Sequence, residues 1–335
     1  DLIFRAHTTR YRLARWVTAQ GETLMGSLPA YLANGHFGPE LVSYILYQHH
    51  HCQVTQPLLL EQLREWGIEI SSGQLNALLL ADRADFHTEK NALLATGLAV
   101  SSYVTVDDTG ARHQGNNGYV TQIGNDFFAW FQSTGSKSRV NFLELLRAGQ
   151  TDYRINEAAL AYMREQRLAQ APREALRTHP RQHFSSSQQW QKHLQALGIT
   201  RERHCRIATE GALLGSVADH GRAADLAIVS DDAGQFDVLR HGLCWVHAER
   251  LVHKLIALNE GHRQDQARVR GEIWSLYADL KHYKGHPTPE HKAQLQARFD
   301  TIFTQKTRFQ TLNETLKRIA RNKSELLLVL DQPDI

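Results

Sequence analysis

Two short apolar runs, far apart in the chain, each end on a pair of aspartates. The run Tyr103–Val106 leads into Asp107–Gly110, and the run Leu226–Ser230 leads into Asp231–Asp232. Alternating and β-branched residues of this kind predict buried strands, and Asp107–Gly110 predicts the turn that closes the first. If the two strands lie side by side, their carboxylates form a site for hard divalent cations. Aspartates are also ordinary turn formers, so the pairs alone leave both interpretations open.

The composition is that of a globular protein with a large core. The 335 residues are 42% hydrophobic and 22% charged, and this length predicts two or three domains. No apolar stretch reaches the roughly 18–20 residues that span a bilayer. The net charge of +3 argues against a globally basic binder, although local basic patches still suit nucleic acid. Three widely spaced cysteines predict no disulfide framework and fit a reducing cytosol.

The first region, residues 1–98, is predicted to be helical. Apolar spacing predicts a helix over 39–50, a second helix that Gly67 ends, and a third that begins at Ser71–Ser72. Helix, glycine turn, short link and capped helix are the outline of a DNA-binding helix-turn-helix. A plain helical pair fits the same pattern. The triplet His49–His51 falls on one continuous helix, where neighbours point to different faces, and this argues against a metal site there.

The middle of the chain predicts a mixed sheet. Residues 99–149 predict strands at 101–107, 119–123 and 127–131, then a helix from Ser138 to Gly149. Residues 150–222 predict a helical elaboration with a break at Pro172, and residues 223–247 predict a strand at 224–230, a short helix at 236–241 and a strand at 242–246. Amphipathic helices follow over 248–335. This order predicts an α/β (α+β) fold: a ribonuclease-H-like mixed sheet with an N-terminal helical region and a late all-α insertion.

The segment after Ser230 reads DDAGQFDVLRHGLCWVHAERLVHKL. It resembles the DDE transposases of bacterial insertion sequences, in particular the insertion sequence 66-like family. The features that carry the resemblance are Asp231 at the strand end, the run Phe236–Leu239, the four residues Cys244–His247, and Arg250. In the family a Cys-Trp-x-His element followed by basic residues stands at this place.

Upstream, VTVDDTGAR is similar to the family's Asp-Glu-Thr element, with Asp107 at the catalytic aspartate and Asp108 in place of the glutamate. The resemblance extends over most of the chain, residues 35–335. It implies metal-dependent nicking and strand transfer at transposon ends, with Asp107 and Asp231 as the catalytic residues. By the same resemblance, Asp107 bridges two Mg²⁺ (or Mn²⁺) ions and Asp231 binds one of them.

The resemblance also implies partners and supporting residues. The partners are double-stranded DNA, as transposon ends and target, and further copies of the chain on that DNA. The location is the bacterial cytoplasm, in association with the nucleoid. Cys244 and His247, with Arg250, are expected to support the active site and flanking DNA. The alternatives are half of a zinc site, or a buried cysteine beside a hydrogen-bonded histidine.

Basic residues on the late helices are predicted to contact DNA phosphates. They are Lys281, Lys284, Lys317, Arg318, Arg321 and Lys323. Lysine and arginine are also common on solvated helix faces, which is the alternative interpretation. Contacts of this kind would make DNA affinity fall steeply with salt.

The third catalytic acid of the family is a glutamate on a later helix. The resemblance aligns the end of this sequence with the segment before that glutamate, so we expect this chain to lack the third acid. Glu325 and Glu249 are weaker substitutes, because both lie outside the aligned position. The alternatives to a DDE transposase are a non-catalytic DNA-binding or regulatory remnant of one, or a nuclease on the same fold.

Overall fold

The computed structural model describes residues 5–29, 36–81, 83–221 and 225–335. The chain divides into two compact units, residues 1–87 and 88–335. Its architecture is mixed α/β and 54% helical, as the sequence predicts at this level. Within the described ranges, no helix has the length and apolarity that crossing a membrane requires.

The N-terminal unit holds a small hairpin and a group of helices. Its elements are β1 Arg15–Val17, β2 Thr23–Met25, α1 Pro39–Leu46, α2 Gln56–Glu65 and α3 Ser72–Leu80, with a π-helical turn at Tyr47–His51. Gly67 ends α2 with a positive φ of 77°, and Ser71 caps α3 in a capping box with Gln74. The apolar stripes of the three helices meet in one core of Ile45, Leu59, Leu63, Ile70, Leu75 and Leu79. The predicted helix, glycine turn and capped helix are therefore confirmed.

The C-terminal unit contains the main sheet and the remaining helices, except that residues 84–87 of the first of these helices belong to the N-terminal unit. In chain order the elements are α4 Ala84–Val100, β3 Tyr103–His113, β4 Asn116–Gly124, β5 Ala129–Thr134, α5 Arg139–Leu146, β6 Tyr153–Arg154, α6 Glu157–Glu165, α7 Gln170–Thr178, β7 His183–Phe184, α8 Ser187–Ala196, α9 Glu202–Asp219, β8 Ala227–Ser230, β9 Arg240–Leu243, α10 Trp245–His253, α11 Glu260–Gly285, α12 Pro289–Thr304, α13 Gln310–Ala320 and α14 Lys323–Leu326, followed by a 3-10 turn at Leu328–Leu330. The long helices predicted after His247 are confirmed.

Five strands form the main sheet in the order β5-β4-β3-β8-β9. β3, β4 and β5 are an antiparallel meander, whereas β3, β8 and β9 run parallel to one another. One face of the sheet, with Val104, Val106, Ile123 and Ile228, packs into a core shared with α5, α6, α8 and α9. The helices from α10 onward enclose a second core.

The first strand is longer than predicted. β3 continues through Asp107–Gly110 to His113, paired throughout with β4, so the predicted turn at Asp107–Gly110 is wrong. The chain turns instead at Gln114–Gly115, where both residues have positive φ. Turn-forming side chains did not end the strand because the β4 hydrogen bonds extend beyond them. Asp107 therefore lies inside a strand, opposite Gln122.

Three predictions in the later segments are also wrong. Residues 236–241 form no helix: Leu239 has a φ of 58°, and β9 begins at Arg240. The strand predicted at 242–246 ends at Leu243, because α10 starts at Trp245. Pro172 does not break a helix but lies in the first turn of α7, where a missing N–H costs nothing. The predicted strand at 224–230 is present as β8, and Ala224 lies outside the described residues.

Candidate metal and nucleic-acid site

The register of the parallel strands, extended beyond its last pair, brings the two predicted acids to one level. β3 and β8 pair Tyr103 with Ala227 and Thr105 with Val229, and Thr105–Val229 is their last pair. Extending this offset by two residues gives Asp231, which directly follows β8, the level of Asp107. β8 and β9 pair Ser230 with Leu243, and the next step sets Cys244 beside Asp231. The Cys244 N–H donates to the Ser230 carbonyl at 2.7 Å, so β8 and β9 are paired up to their last residues. In-register residues of neighbouring strands share a face. By this extended register, Asp107 on β3, Asp231 directly after β8 and Cys244 directly after β9 stand at one level, and we call them the row.

Asp108 lies on the opposite face from this row and is fully engaged. Thr121 donates its hydroxyl to one oxygen of Asp108, and Gln235 donates to the other at 3.2 Å. From the described residues, the exposed Asp107 accepts only the Asp108 N–H, at 2.8 Å, through Oδ1. Asp231 likewise accepts the Ala233 N–H at 3.1 Å through Oδ1. In the described part of the chain, Oδ2 of Asp107 and Oδ2 of Asp231 receive no protein hydrogen bond.

A cleft of about 420 Å³ opens beside Asp231. Among the residues that line it are Asp231, Asp232, Cys244, His247, Arg250, Lys254, Arg318 and Asn322. The predicted supporting residues, and one of the predicted DNA-contacting arginines, thus come together beside the second acid. Lys254 was missed from the sequence, although it caps α10 four residues after Arg250, a spacing that puts both on one helix face.

Cys244 and His247 stand at the start of α10. Cys244 is the N-cap residue, and its carbonyl accepts the His247 N–H at 3.1 Å. The buried His247 Nδ1 has no hydrogen-bond partner among the described residues. Over those residues, no third histidine, cysteine or carboxylate joins this pair in a cluster of metal-ligand spacing. Half of a zinc site is therefore not completed by the described chain.

Arg139 holds the loop that follows Asp231, a role that the sequence did not indicate. Its guanidinium donates from Nε to the Gly234 carbonyl at 3.1 Å and from Nη1 to the Tyr162 hydroxyl at 2.9 Å. Tyr162 in turn donates to the buried Glu210 at 2.8 Å. Burial raises the pKa of Tyr162 well above its usual range, so the phenol stays protonated as a donor.

No family model matches the chain, and no solved structure matches it. The uncharacterized protein y4jO of Sinorhizobium fredii is 41% identical over 245 residues, which cover 72% of this chain and 76% of that protein. The chain belongs to the y4jO family.

In this member of the y4jO family, the remaining predicted site residues lie on the late helices. Lys281, Lys284, Lys317 and Arg321 are exposed, on α11 and at the end of α13. Lys323 is instead held by Asp300, with 2.7 and 2.8 Å between its Nζ and the two carboxylate oxygens.

The two substitute acids of this y4jO family member are both engaged elsewhere. Glu249 is only 5% exposed and forms an ion pair with Arg270. Glu325 lies 3.3 Å from Nδ1 of His241. Neither of them is in the row with Asp107 and Asp231.

Proposed function

We propose that this chain is a DNA-processing protein of the DDE transposase type, with a ribonuclease-H-like core. Metal-dependent nicking and strand transfer is the reaction of this type, and this chain is proposed to lack its third catalytic acid. An antiparallel three-strand meander beside two parallel strands, in the order β5-β4-β3-β8-β9, supports the assignment of the core. The observation that carries the proposal is the parallel pairing of β3 with β8, since Asp107 lies on β3 and Asp231 directly follows β8.

The donor set at this row suits Mg²⁺ or Mn²⁺. Both ligands are carboxylates, and each keeps one oxygen without a hydrogen bond from the described residues. Mg²⁺ uses one or two protein carboxylates and fills its other positions with water and phosphate oxygens. When bound, a pair of such ions would activate the attacking oxygen and stabilise the departing one. Asp107 and Asp231 would hold the ions, and the Asp108 hydrogen bonds would keep the β3 backbone in place.

The cleft beside Asp231 is lined by positively charged side chains that suit the phosphates of a DNA backbone. Arg250, Lys254 and Arg318 line it together and would bind backbone phosphates next to the reacting bond. Such contacts are independent of base sequence. The N-terminal helix pair, α2 and α3, is the proposed source of further DNA binding.

The proposal is tested by metal binding and plasmid nicking with Asp107→Asn and Asp231→Asn. We expect wild-type protein to bind Mn²⁺ and each substitution to weaken that binding at least about tenfold. Because this chain is expected to lack the third acid, plasmid nicking by wild-type protein should be weak, and it should be lost in both variants. Asp225→Asn is the matched control, since this exposed acid precedes the same strand, β8, at its other end. Unchanged Mn²⁺ binding in both variants would refute the assignment.

A second prediction concerns the phosphate contacts. Replacing Arg250 or Lys254 by alanine should weaken binding to duplexes of any sequence and lower the slope of affinity against salt by about one phosphate contact. Lys192→Ala, on the exposed face of α8, is the control and should leave the slope unchanged. A salt slope equal to that of wild-type protein in all three variants would show that the cleft does not contact DNA.

A non-catalytic DNA-binding protein is the second candidate. It is favoured by the engagement of Glu249 and Glu325 with Arg270 and His241, which leaves two acids in the row among the described residues. Mn²⁺ binding that depends on both aspartates, together with no nicking by wild-type protein, would favour this candidate. Hydrolysis of precut ends without joining would instead favour a nuclease.

A further inference from the structure

His241, on β9, lies between a serine and a carboxylate. Its Nε2 is 2.8 Å from Oγ of Ser230, and its Nδ1 is 3.3 Å from Oε1 of Glu325. The imidazole is only 6% exposed, and Glu325 is 32% exposed at its side chain. The two ring nitrogens therefore have fixed neighbours.

The hydrogen bonds of Ser230 determine which nitrogen of His241 carries its hydrogen. The Ser230 hydroxyl donates its only hydrogen to the carbonyl of Asp231, at 2.6 Å, because a carbonyl can only accept. Ser230 must then accept from His241, so Nε2 carries the N–H. In the neutral imidazole, Nδ1 is left with a lone pair that faces a carboxylate oxygen. Two acceptors at this distance need a cation between them, either a proton or a metal ion.

A third ligand atom stands within reach. Asp237, in the loop before β9, has a carboxylate oxygen within 4.8 Å of the ligand atoms of both His241 and Glu325. Arg139 lies 3.7 Å from the Asp237 carboxylate and neutralises part of its charge without blocking it, since Asp237 is 60% exposed. One imidazole and two carboxylates, from the stretch 237–241 and from Glu325, thus converge.

We propose that Asp237, His241 and Glu325 bind a divalent transition metal ion of the zinc class. Three protein ligands with a fourth position left to water are typical of zinc sites, and the nitrogen ligand favours zinc over magnesium. The Nε2–H bond to Ser230 orients the ligating ring, as hydrogen bonds behind metal-bound histidines commonly do. This site shares no ligand with the row of Asp107 and Asp231 and does not depend on the proposed function.

Glu325 is held against β9 by close packing. A side chain at Gly242 would come within 3.2 Å of Leu328, and Trp245 donates its indole N–H to the Leu326 carbonyl at 3.0 Å. The bound ion would add a bond between β9 and α14, which lie 84 residues apart at His241 and Glu325. We therefore expect the ion to stabilise the attachment of α14 to the sheet.

The test is a titration of chelator-treated, full-length protein with Zn²⁺ by calorimetry, in excess Mg²⁺ so that an all-oxygen site is occupied. Wild-type protein, Asp237→Asn, Glu325→Gln and the control Glu144→Gln, an exposed acid on α5, are compared. We expect the first two substitutions to weaken one Zn²⁺ site by at least about tenfold and the control to leave it unchanged. Zn²⁺ should also raise the melting temperature of wild-type and control protein more than that of the two variants.

Nitrogen NMR of labelled histidines, with His241→Gln to assign the signal, gives a second readout. A metal-bound Nδ1 beside a protonated Nε2 in the presence of Zn²⁺ supports the site. Zn²⁺ binding of equal stoichiometry and affinity in all four proteins would overturn it. So would a His241 ring that is doubly protonated at neutral pH and unchanged by Zn²⁺, because a proton would then occupy the place of the metal. Loss of Mn²⁺ binding at Asp107 and Asp231 would not affect either readout.

Discussion

One buried acid of the C-terminal unit, Asp152, and two acids at the main sheet, Asp107 and Asp231, differ in how many of their oxygens are hydrogen-bonded. Asp152, which opens the elaboration, is 8% exposed and is surrounded by donors. Ser216 donates to its Oδ1 at 2.7 Å, His220 lies 3.1 Å from the same atom, and Arg154 pairs with the other oxygen. Asp107 and Asp231, by contrast, each keep an oxygen that no described protein group bonds. A buried acid whose oxygens are all bonded supports the fold, whereas an accessible one with a free oxygen can bind a ligand.

The largest expected effect is at Asp152. Asp152→Asn should lower the free energy of unfolding by about 2–3 kcal/mol, less than the roughly 3–5 kcal/mol of a fully buried pair. The expected loss is smaller than for a fully buried pair because the Arg154 side chain is 32% exposed, so solvent screens the ion pair. Chemical denaturation measures this loss, and Asp107→Asn serves as the matched substitution, expected to change stability by under about 0.5 kcal/mol. Equal losses of unfolding free energy in Asp152→Asn and Asp107→Asn would contradict the assignment of a structural role to Asp152 alone.

The same acid predicts a dependence on pH. Burial alone would raise the pKa of Asp152, but hydrogen bonds from Arg154, Ser216 and His220 outweigh it and hold the pKa well below its usual range. The stabilisation is therefore present above the ordinary pKa of aspartate, about 4, and is lost as the pH falls below it. Below pH 4, Asp152→Asn should lose less stability than wild-type protein.

The next effect, of about 2 kcal/mol, is expected at Arg139. Arg139→Ala removes charged hydrogen bonds to Gly234 and Tyr162, at a side chain that is only 13% exposed. Because the Gly234 loop follows Asp231, we also expect Mn²⁺ affinity to fall several-fold, which a purely structural role would not produce. Arg177→Ala, an exposed arginine on α7, is the control. Reduced stability with unchanged Mn²⁺ affinity would limit Arg139 to supporting the fold.

The local sequence pattern predicted the two strands and the acids near them. The length of β3 and the side-chain contacts depend on partners that are distant in the chain. The alternation at Tyr103–Val106 and the apolar run before Asp231 are strand signals that any short window contains. The extension of β3 past Asp107 depends on β4, and the Arg139 contact spans 95 residues of chain. Partners at such separations are invisible to propensity and periodicity. For the same reason the sequence did not associate His241 with Glu325.

The smallest effect is expected at His193, in the aromatic cluster of the elaboration. Burial first, and then the charges of His179 and Arg181, lower the pKa of His193 to about 4. Its Nε2 has no hydrogen-bond partner among the described residues, and Phe184 and Trp190 pack against the ring. Between pH 6.5 and 4 the unfolded chain binds the proton more readily than the folded one, so stability should fall as the pH falls.

His193→Phe removes this titration and keeps the packing. From pH 6.5 to 5.5, wild-type protein should lose about 1 kcal/mol that the variant retains, as measured by denaturation at each pH. His87→Phe, at an exposed histidine of α4, should follow the wild-type curve. The window lies above the one in which Asp152 titrates, so the two effects are separable on one pH series. If the stability of His193→Phe followed that of wild-type protein at every pH, the His193 ring would be solvated and protonated in the folded state. The contrast between the buried, bonded groups of residues 150–222 and the accessible Asp107 and Asp231 would then depend on Asp152 alone.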